Sequence, residues 1–201
     1  TIGVFCVIFL IFKLPKAKPL GGVASMEFYI SLSSISVFMS LMLAAMIRKA
    51  DIRREYLWFV LVMAATATWV TFSIFFIILP DPYAFYAANL SYLGIIAMPI
   101  LLLRFALKFS GSRAAGSFLA TWAVWLIPSL SVLLMLTNAW HQLFWTNVYR
   151  GTLFAGNFIL TLEFGPWYWV HTIYSYAIIL VAIVILVYTT YKRKMHNILL
   201  L

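Results

Sequence analysis

The sequence predicts an all-α integral membrane protein: a polytopic helical bundle of about five full transmembrane helices, preceded by an N-terminal hydrophobic segment and carrying an extracytoplasmic β-hairpin loop. Three observations predict it. Apolar residues make up 65% of the 201 and charged residues only 9%, whereas soluble domains run near half apolar and roughly a quarter charged. Five apolar runs each reach the roughly 20 residues that a ~30 Å hydrocarbon core requires. The basic residues fall in short clusters between those runs, which is how membrane topology is written.

The runs lie at about 25–47, 56–80, 83–109, 115–137 and 166–191, with the usual boundary error of ~2–4 residues. Each must be helical, because an unpaired backbone amide in lipid costs several kcal/mol. Residues 1–24 form a separate unit, an apolar stretch from Thr1 to Phe12 followed by the linker Lys13-Leu-Pro-Lys-Ala-Lys-Pro-Leu-Gly-Gly. The stretch is too short to cross a bilayer alone and reads as the tail of a signal sequence or of an extra span. Residues 25–201 form the bundle. The chain opens inside an apolar run, and Asn197 to Leu201 reads as a helix beginning, so a longer polypeptide is expected.

Orientation follows from Lys and Arg. Arg48-Lys49-Ala-Asp-Ile-Arg53-Arg54 joins the first two runs, Lys108 and Arg113 join the third and fourth with Arg104 nearby, and Lys192-Arg193-Lys194 follows the fifth. The alternate connections hold Asp81 between Pro80 and Pro82, and the long segment 138–165 with Arg150 and Glu163. The basic connections fall on one side, which the positive-inside rule makes cytoplasmic. The linker Lys13 to Lys18 falls outside by the same count. This distribution also explains the net charge of +9 without a nucleic-acid partner. Cys6 is the sole cysteine, which excludes an intrachain disulfide and a cysteine metal site.

In the long outer connection, Asn147 to Phe154 and Phe158 to Phe164 are rich in aromatic and β-branched residues, with Ala155-Gly156-Asn157 between them. That pattern predicts a β-hairpin folded as a lid over the outer mouth of the bundle. Pro99 and Pro128 lie inside the third and fourth runs. Each removes one helical hydrogen bond, freeing the carbonyls of Ile95 and Val124, and is either a tolerated membrane proline or a hinge.

Ionisable residues inside a membrane are the default place to look for function. Arg104 lies close enough to the cytoplasmic end to snorkel to the phosphates. His171 has Trp167 at i−4, Tyr174 at i+3 and Ser175 at i+4, which puts all four on one helix face. An interfacial aromatic belt with a satisfied histidine explains that face, and so does the wall of a ligand pocket. His141 is its one plausible histidine partner, and no carboxylate stands at ligand spacing from either, so a metal site is not expected. Ser33, Ser36 and Ser40 read as a small-residue helix-packing stripe, as do Thr66, Thr68, Thr71 and Ser73. Asn89, Ser91 and Tyr92 open the third helix and face the outer cavity. There is no phosphate-binding glycine loop, no Gly-x-Ser-x-Gly, no paired His-Glu motif and no carboxylate pair. No cofactor is implied, and the chain alone is not an enzyme.

Three stretches resemble a known family. Asn89-Leu-Ser-Tyr-Leu-Gly-Ile-Ile-Ala-Met-Pro-Ile-Leu-Leu-Leu-Arg-Phe-Ala-Leu-Lys-Phe-Ser-Gly111 is similar to the third helix of the N-terminal seven-transmembrane region of bacterial sensor histidine kinases. Thr137-Asn-Ala-Trp-His-Gln-Leu-Phe-Trp145 resembles its outer-loop motif, and Gly165-Pro-Trp-Tyr-Trp-Val-His-Thr-Ile-Tyr-Ser-Tyr176 the start of its fifth helix. The resemblance covers about residues 25–201 and stops after the fifth helix; the opening run and its lysines have no counterpart. It implies an extracytoplasmic amino terminus, two further helices, a homodimer in the bacterial inner membrane, and a cytoplasmic output module that is usually a PAS region plus histidine kinase and sometimes a diguanylate cyclase.

Two function classes follow. One is a sensory input domain of two-component type, passing an extracytoplasmic or membrane signal to that output. The other is a non-catalytic structural or assembly subunit whose faces bind other membrane proteins as well as the lipid bilayer. In either case Trp140, His141, Trp145, Trp167, His171 and Tyr174 are expected to converge at the outer end. There they latch the loop to the fifth helix or line a pocket for an unknown small molecule, with Asn89 and Tyr92 on the same cavity.

Overall fold

A computed structural model describes residues 22–49, 56–112, 122–154 and 157–199. Helix α1 spans Gly22–Lys49, α2 Leu57–Ile78 and α3 Asp81–Phe109. A 3-10 turn at Ala123–Trp125 leads into α4, Leu126–Leu136, and a single helical turn follows at Asn138–His141. Strands β1 (Trp145–Phe154) and β2 (Asn157–Phe164) precede the long α5, Pro166–Leu199. The opening segment 1–21 with Cys6, the basic connection 50–55, and residues 113–121 of the expected fourth span lie outside the described residues.

Among the described residues, α2, α3 and the Pro166–Lys192 part of α5 are long and apolar enough to cross a membrane, and the apolar stretches 30–45 and 123–136 are shorter. Helix α3 is the central one. In its most apolar stretch 56% of residues are buried, against 17% in α2 and 22% in α5. The reason is composition: Ala84, Ala87, Ala88, Ser91 and Gly94 form a buried small-residue face, which lets a neighbouring backbone approach closely. At Gly94 a β-carbon would sit 2.8 Å from the Trp69 amide nitrogen, so α2 and α3 touch nearly backbone to backbone.

Leu79 and Pro80, both extended, connect α2 to α3, and the Pro80 carbonyl accepts from the amides of Tyr83 and Ala84. At its other end α3 stops at Gly111, whose φ is +67°. The Gly111 amide bonds to the Lys108 carbonyl and the Ser112 amide to that of Leu107, the paired pattern that satisfies orphan helix carbonyls. Below this end Val62, Ala65, Met98, Leu102, Leu103, Ala106 and Leu107 pack with Ile179 and Ala182 of α5. Helix α1 lies against α2. Ser33, Ser40 and Ala44 are its buried positions between residues 30 and 45, and Ser36 is half-buried.

Two expectations need correction. Pro128 does not interrupt a long fourth helix. It is the third residue of α4, where the amides have no intrahelical acceptor and a missing N–H costs nothing within the helix. Thr68 is exposed while Thr66 is buried, because residues two apart point about 200° apart on a helix and cannot share a face. Arg104, half-buried, lies over the ring of Trp58, 5.2 Å from its centroid, in a cation–π arrangement.

The hairpin has the expected position. Trp145 pairs with Phe164, Tyr149 with Thr161, Gly151 with Ile159 and Phe154 with Asn157. Irregularities after Trp145 and after Thr152 each insert one extra residue into β1, which bends and twists the ribbon. Pairing begins one residue earlier on β2 than the Ala155-Gly156-Asn157 turn implies, and 155–156 lie outside the described residues.

Candidate functional site

The site begins with one side chain. Asn138 is buried, and its amide oxygen accepts from the backbone amides of Phe144 (2.9 Å) and Trp145 (3.0 Å) while its amide nitrogen donates to the Trp145 carbonyl (2.8 Å). These bonds close the reversal from α4 into β1. The reversal requires Gln142 to take φ of +53°, a left-handed conformation that costs a non-glycine residue roughly 1–2 kcal/mol. The Asn138 bonds offset that cost by satisfying buried amides that would otherwise be orphaned.

The closed turn then binds the start of α5. The Gly165 amide donates to the Phe144 carbonyl (2.8 Å), and the Trp167 amide to the Leu143 carbonyl (3.0 Å). There is no room for a side chain here, since a β-carbon on Gly165 would fall 2.6 Å from the Leu143 carbonyl carbon. Around this backbone junction the aromatic rings interlock. Tyr92 meets Trp145 edge to face at 4.7 Å, and Phe164 stacks flat on Tyr168 at 3.9 Å. Met135, Phe144, Trp145 and Tyr168 form a buried cluster against which Tyr92 and Trp167 pack. The indole N–H of Trp145, itself only 1% exposed, donates to the Asn89 side-chain oxygen at 3.1 Å.

One turn further along α5 lies a polar node. His171 is 2% exposed, with Nδ1 3.0 Å from the Ser131 hydroxyl and Nε2 3.1 Å from that of Ser175. Ser131 is wholly buried on α4 and donates its proton to the Ile127 carbonyl at 2.7 Å. A hydroxyl has a single proton, so the Nδ1–H of His171 donates to Ser131, and Nε2 accepts from Ser175. The Trp167 indole N–H also donates to Ser131, at 3.0 Å. Above the node the Tyr174 hydroxyl donates to the carbonyl of Val124, in the 3-10 turn that leads into α4. Three residues of one α5 face, Trp167, His171 and Tyr174, thus engage α4 and the 3-10 turn before it.

The six residues expected to converge fall into two adjoining groups and two outliers. Trp145 joins Asn89 and Tyr92 at the hairpin base, while Trp167, His171 and Tyr174 join α4, and Trp167 touches both groups. His141 stays local. Its Nδ1 accepts from the Leu143 amide at 3.0 Å, and its Nε2 lies 3.0 Å from the Thr137 hydroxyl. Trp140 is 86% exposed. The correction has a helical cause: Asn138 occupies the inward face of its turn, so positions 139 and 140, about 100° and 200° around, must face outward. Sequence reasoning passed over Asn138, Phe144, Gly165 and Tyr168, although all four lie inside the two quoted motifs, and over Ser131. The signal for Ser131 was the pair of hydroxyls, Ser129 and Ser131, that follow Pro128 in an apolar run.

Beside the hairpin base a cleft of about 640 Å³ opens between α3, the end of α4 and β1. Asn89 and Trp145 line it, together with Leu90, Leu93, Leu136 and Gln142. Neither histidine does.

No curated protein and no solved structure matches the chain. One family model does, over residues 32–200, which takes in α2 to α5, most of α1, the hairpin and both motif segments. The chain therefore belongs to the family described as the N-terminal 7TM region of histidine kinase.

Proposed function

We propose that this chain is the membrane-embedded sensory input region of a two-component histidine kinase, passing an extracytoplasmic or membrane signal to a cytoplasmic output. The observation that carries the reading is the family match across both motif segments, which meet in the junction of Asn138, Phe144, Gly165 and Tyr168. In this reading the bundle spans the bacterial inner membrane with five helices of the chain, the hairpin end outside, and the protein works as a homodimer. The junction couples loop to helix: Asn138, Trp145 and the hairpin respond to the stimulus, and α5 carries the displacement along its 34 residues towards the output. A signal shifts such a bundle only through differential affinity for two packings. The node of Trp167, His171 and Ser131 is the place where α4 and α5 exchange partners between them. The chain itself carries out no chemistry.

Two measurements test this. Cysteines introduced at Arg54 and Asn157 should be labelled from opposite sides of the membrane, and labelling of both from one side ends the topology. In the full-length protein, His171→Ala should change the stimulus dependence of autophosphorylation without unfolding the bundle. A wild-type response would leave the node structural only.

A further inference from the structure

The cleft beside the hairpin base has a chemical gradient. Its lining on α3 runs from Phe85, Tyr86 and Asn89 to Leu90 and Leu93, about 12 Å along the axis at 1.5 Å per residue. The hairpin side is bordered by the polar Asn138, Gln142, Thr146 and Asn147 together with Trp145 and Val148, and the side further along α3 by Leu90, Leu93, Met135 and Leu136. None of the lining residues is charged. Two amides there have hydrogen-bonding capacity to spare. Asn89 accepts from the Trp145 indole through its oxygen, and among the described residues its NH₂ has no partner. The Gln142 side chain is exposed and makes no hydrogen bond to a described residue. The rim is open sideways, because Tyr86, Leu90, Leu93 and Leu136 are all exposed.

We infer that this cleft binds an uncharged, single-chain amphiphile whose hydroxyl or ester head sits at Asn89 and Gln142 and whose alkyl chain lies along Leu90, Leu93 and Leu136. The volume lies within the ~300–1,000 Å³ range of small-molecule sites, which are largely apolar with a few placed polar groups. The gradient along the cleft fixes the orientation of the occupant. Absence of lining charge selects a neutral head, since a phosphate or carboxylate placed against amides and leucines would have no counter-ion. Access comes from the side, so the ligand enters from the bilayer and not from the aqueous phase. Occupancy would press on Asn89 and Trp145, and through Trp145 on Tyr92 and Tyr168. This gives the sensor reading a ligand class and rests on that reading for its consequence, though not for the binding itself.

The test uses the full-length protein in lipid nanodiscs with a monoacylglycerol carrying a diazirine in its alkyl chain, and a lysophosphatidic acid with the same chain. After photolysis, peptides are mapped by mass spectrometry. The neutral probe should label Phe85–Leu93 and Met135–Val148 saturably, and unlabelled monoacylglycerol should compete. The phosphate probe should label them far less. Leu93→Trp fills the side further along α3 and Leu136→Trp covers the rim; each should lower labelling by ~10-fold, a loss of about 1.4 kcal/mol of binding. The rim variant, altering an exposed side chain, stands as the test if the Leu93 variant does not fold. Equal labelling of the exposed α5 face around Ile173, Leu180 and Val184, equal labelling by both probes, or indifference to both variants overturns the site. Saturable cleft labelling with no effect of monoacylglycerol on autophosphorylation would keep the site and overturn the sensor reading. A monoacylglycerol response that survives both variants would do the reverse.

Discussion

The two ends of the bundle are held by different physics. At the hairpin end, cohesion runs through bonds with one geometry each: Asn138 to two amides and a carbonyl, Trp145 to Asn89, and Trp167 and His171 to the same serine hydroxyl. At the other end, Leu102, Leu103, Ala106 and Leu107 of α3 pack against Val62 and Ala65 of α2 and against Ile179 and Ala182 of α5, with Phe105 between Phe59, Tyr56 and Phe109. Dispersion packing tolerates small slides and repacking. A buried bond network does not, since a displaced partner leaves a polar group unsatisfied in a medium of low dielectric. A signal that shifts the bundle in steps therefore has its discrete contacts at the hairpin end and its compliant contacts at the other.

Paired substitutions at the two ends can break that contrast. The largest effect is expected at Gly165. Gly165→Val drives a side chain into the Leu143 carbonyl and should cost about 3 kcal/mol or more, as overpacking against backbone does. It would be read as loss of folded protein or a large fall in Tm in detergent. Gly111→Ala, at the opposite end, has open space but a φ of +67° and should cost only ~1 kcal/mol. Equal losses would show that the hairpin end is no more tightly specified than its counterpart.

Next in size is Asn138→Ala, which orphans the buried amides of Phe144 and Trp145. Each unsatisfied group costs ~1–3 kcal/mol, so the Tm should fall and amide exchange at 143–146 should accelerate before the rest of the chain opens. Uniform acceleration would mean that Asn138 supports the whole bundle and not the turn. Leu103→Ala should destabilise by about 2 kcal/mol by leaving a cavity, with no local increase in exchange at the hairpin.

The smallest stability change is expected at the histidine node. Interhelical hydrogen bonds in membranes are worth about 0.6 kcal/mol on average and at most ~1.7, so His171→Gln should shift Tm little. Trp167→Phe should behave alike, and the double variant should fall short of additivity because both side chains donate to Ser131. Full additivity would show that the two bonds are independent.

Much of this architecture was legible residue by residue. Apolar length gave α2, α3 and α5 because lipid leaves the backbone no alternative to helix. Alternation on either side of Gly156 gave the hairpin, and i, i+3, i+4 spacing put Trp167, His171, Tyr174 and Ser175 on one face. The site was harder to read. Reasoning that ranked residues by size and titratability favoured Trp140 and His141, whereas the turn is organised by Asn138, which any local reading takes for a spacer. Ser131 lies 40 positions from His171, and no periodicity within either helix relates them.

What the sequence determined by itself, then, is whatever depends on the solvent and the local chain: the helical state of the apolar runs, the ribbon, the shared face on α5, and the membership of the family through its motifs. What the tertiary structure alone decided is which polar groups meet. That Pro128 opens α4 instead of bending it, that Tyr174 donates to the Val124 carbonyl, and that the two motifs join through Asn138 and Gly165 all depend on how helices distant in sequence are set beside one another. The physical reason is range. Hydrophobic transfer and backbone hydrogen bonding act on each segment where it stands, while a side-chain hydrogen bond exists only within about 3 Å of a partner, and packing alone brings the partner there.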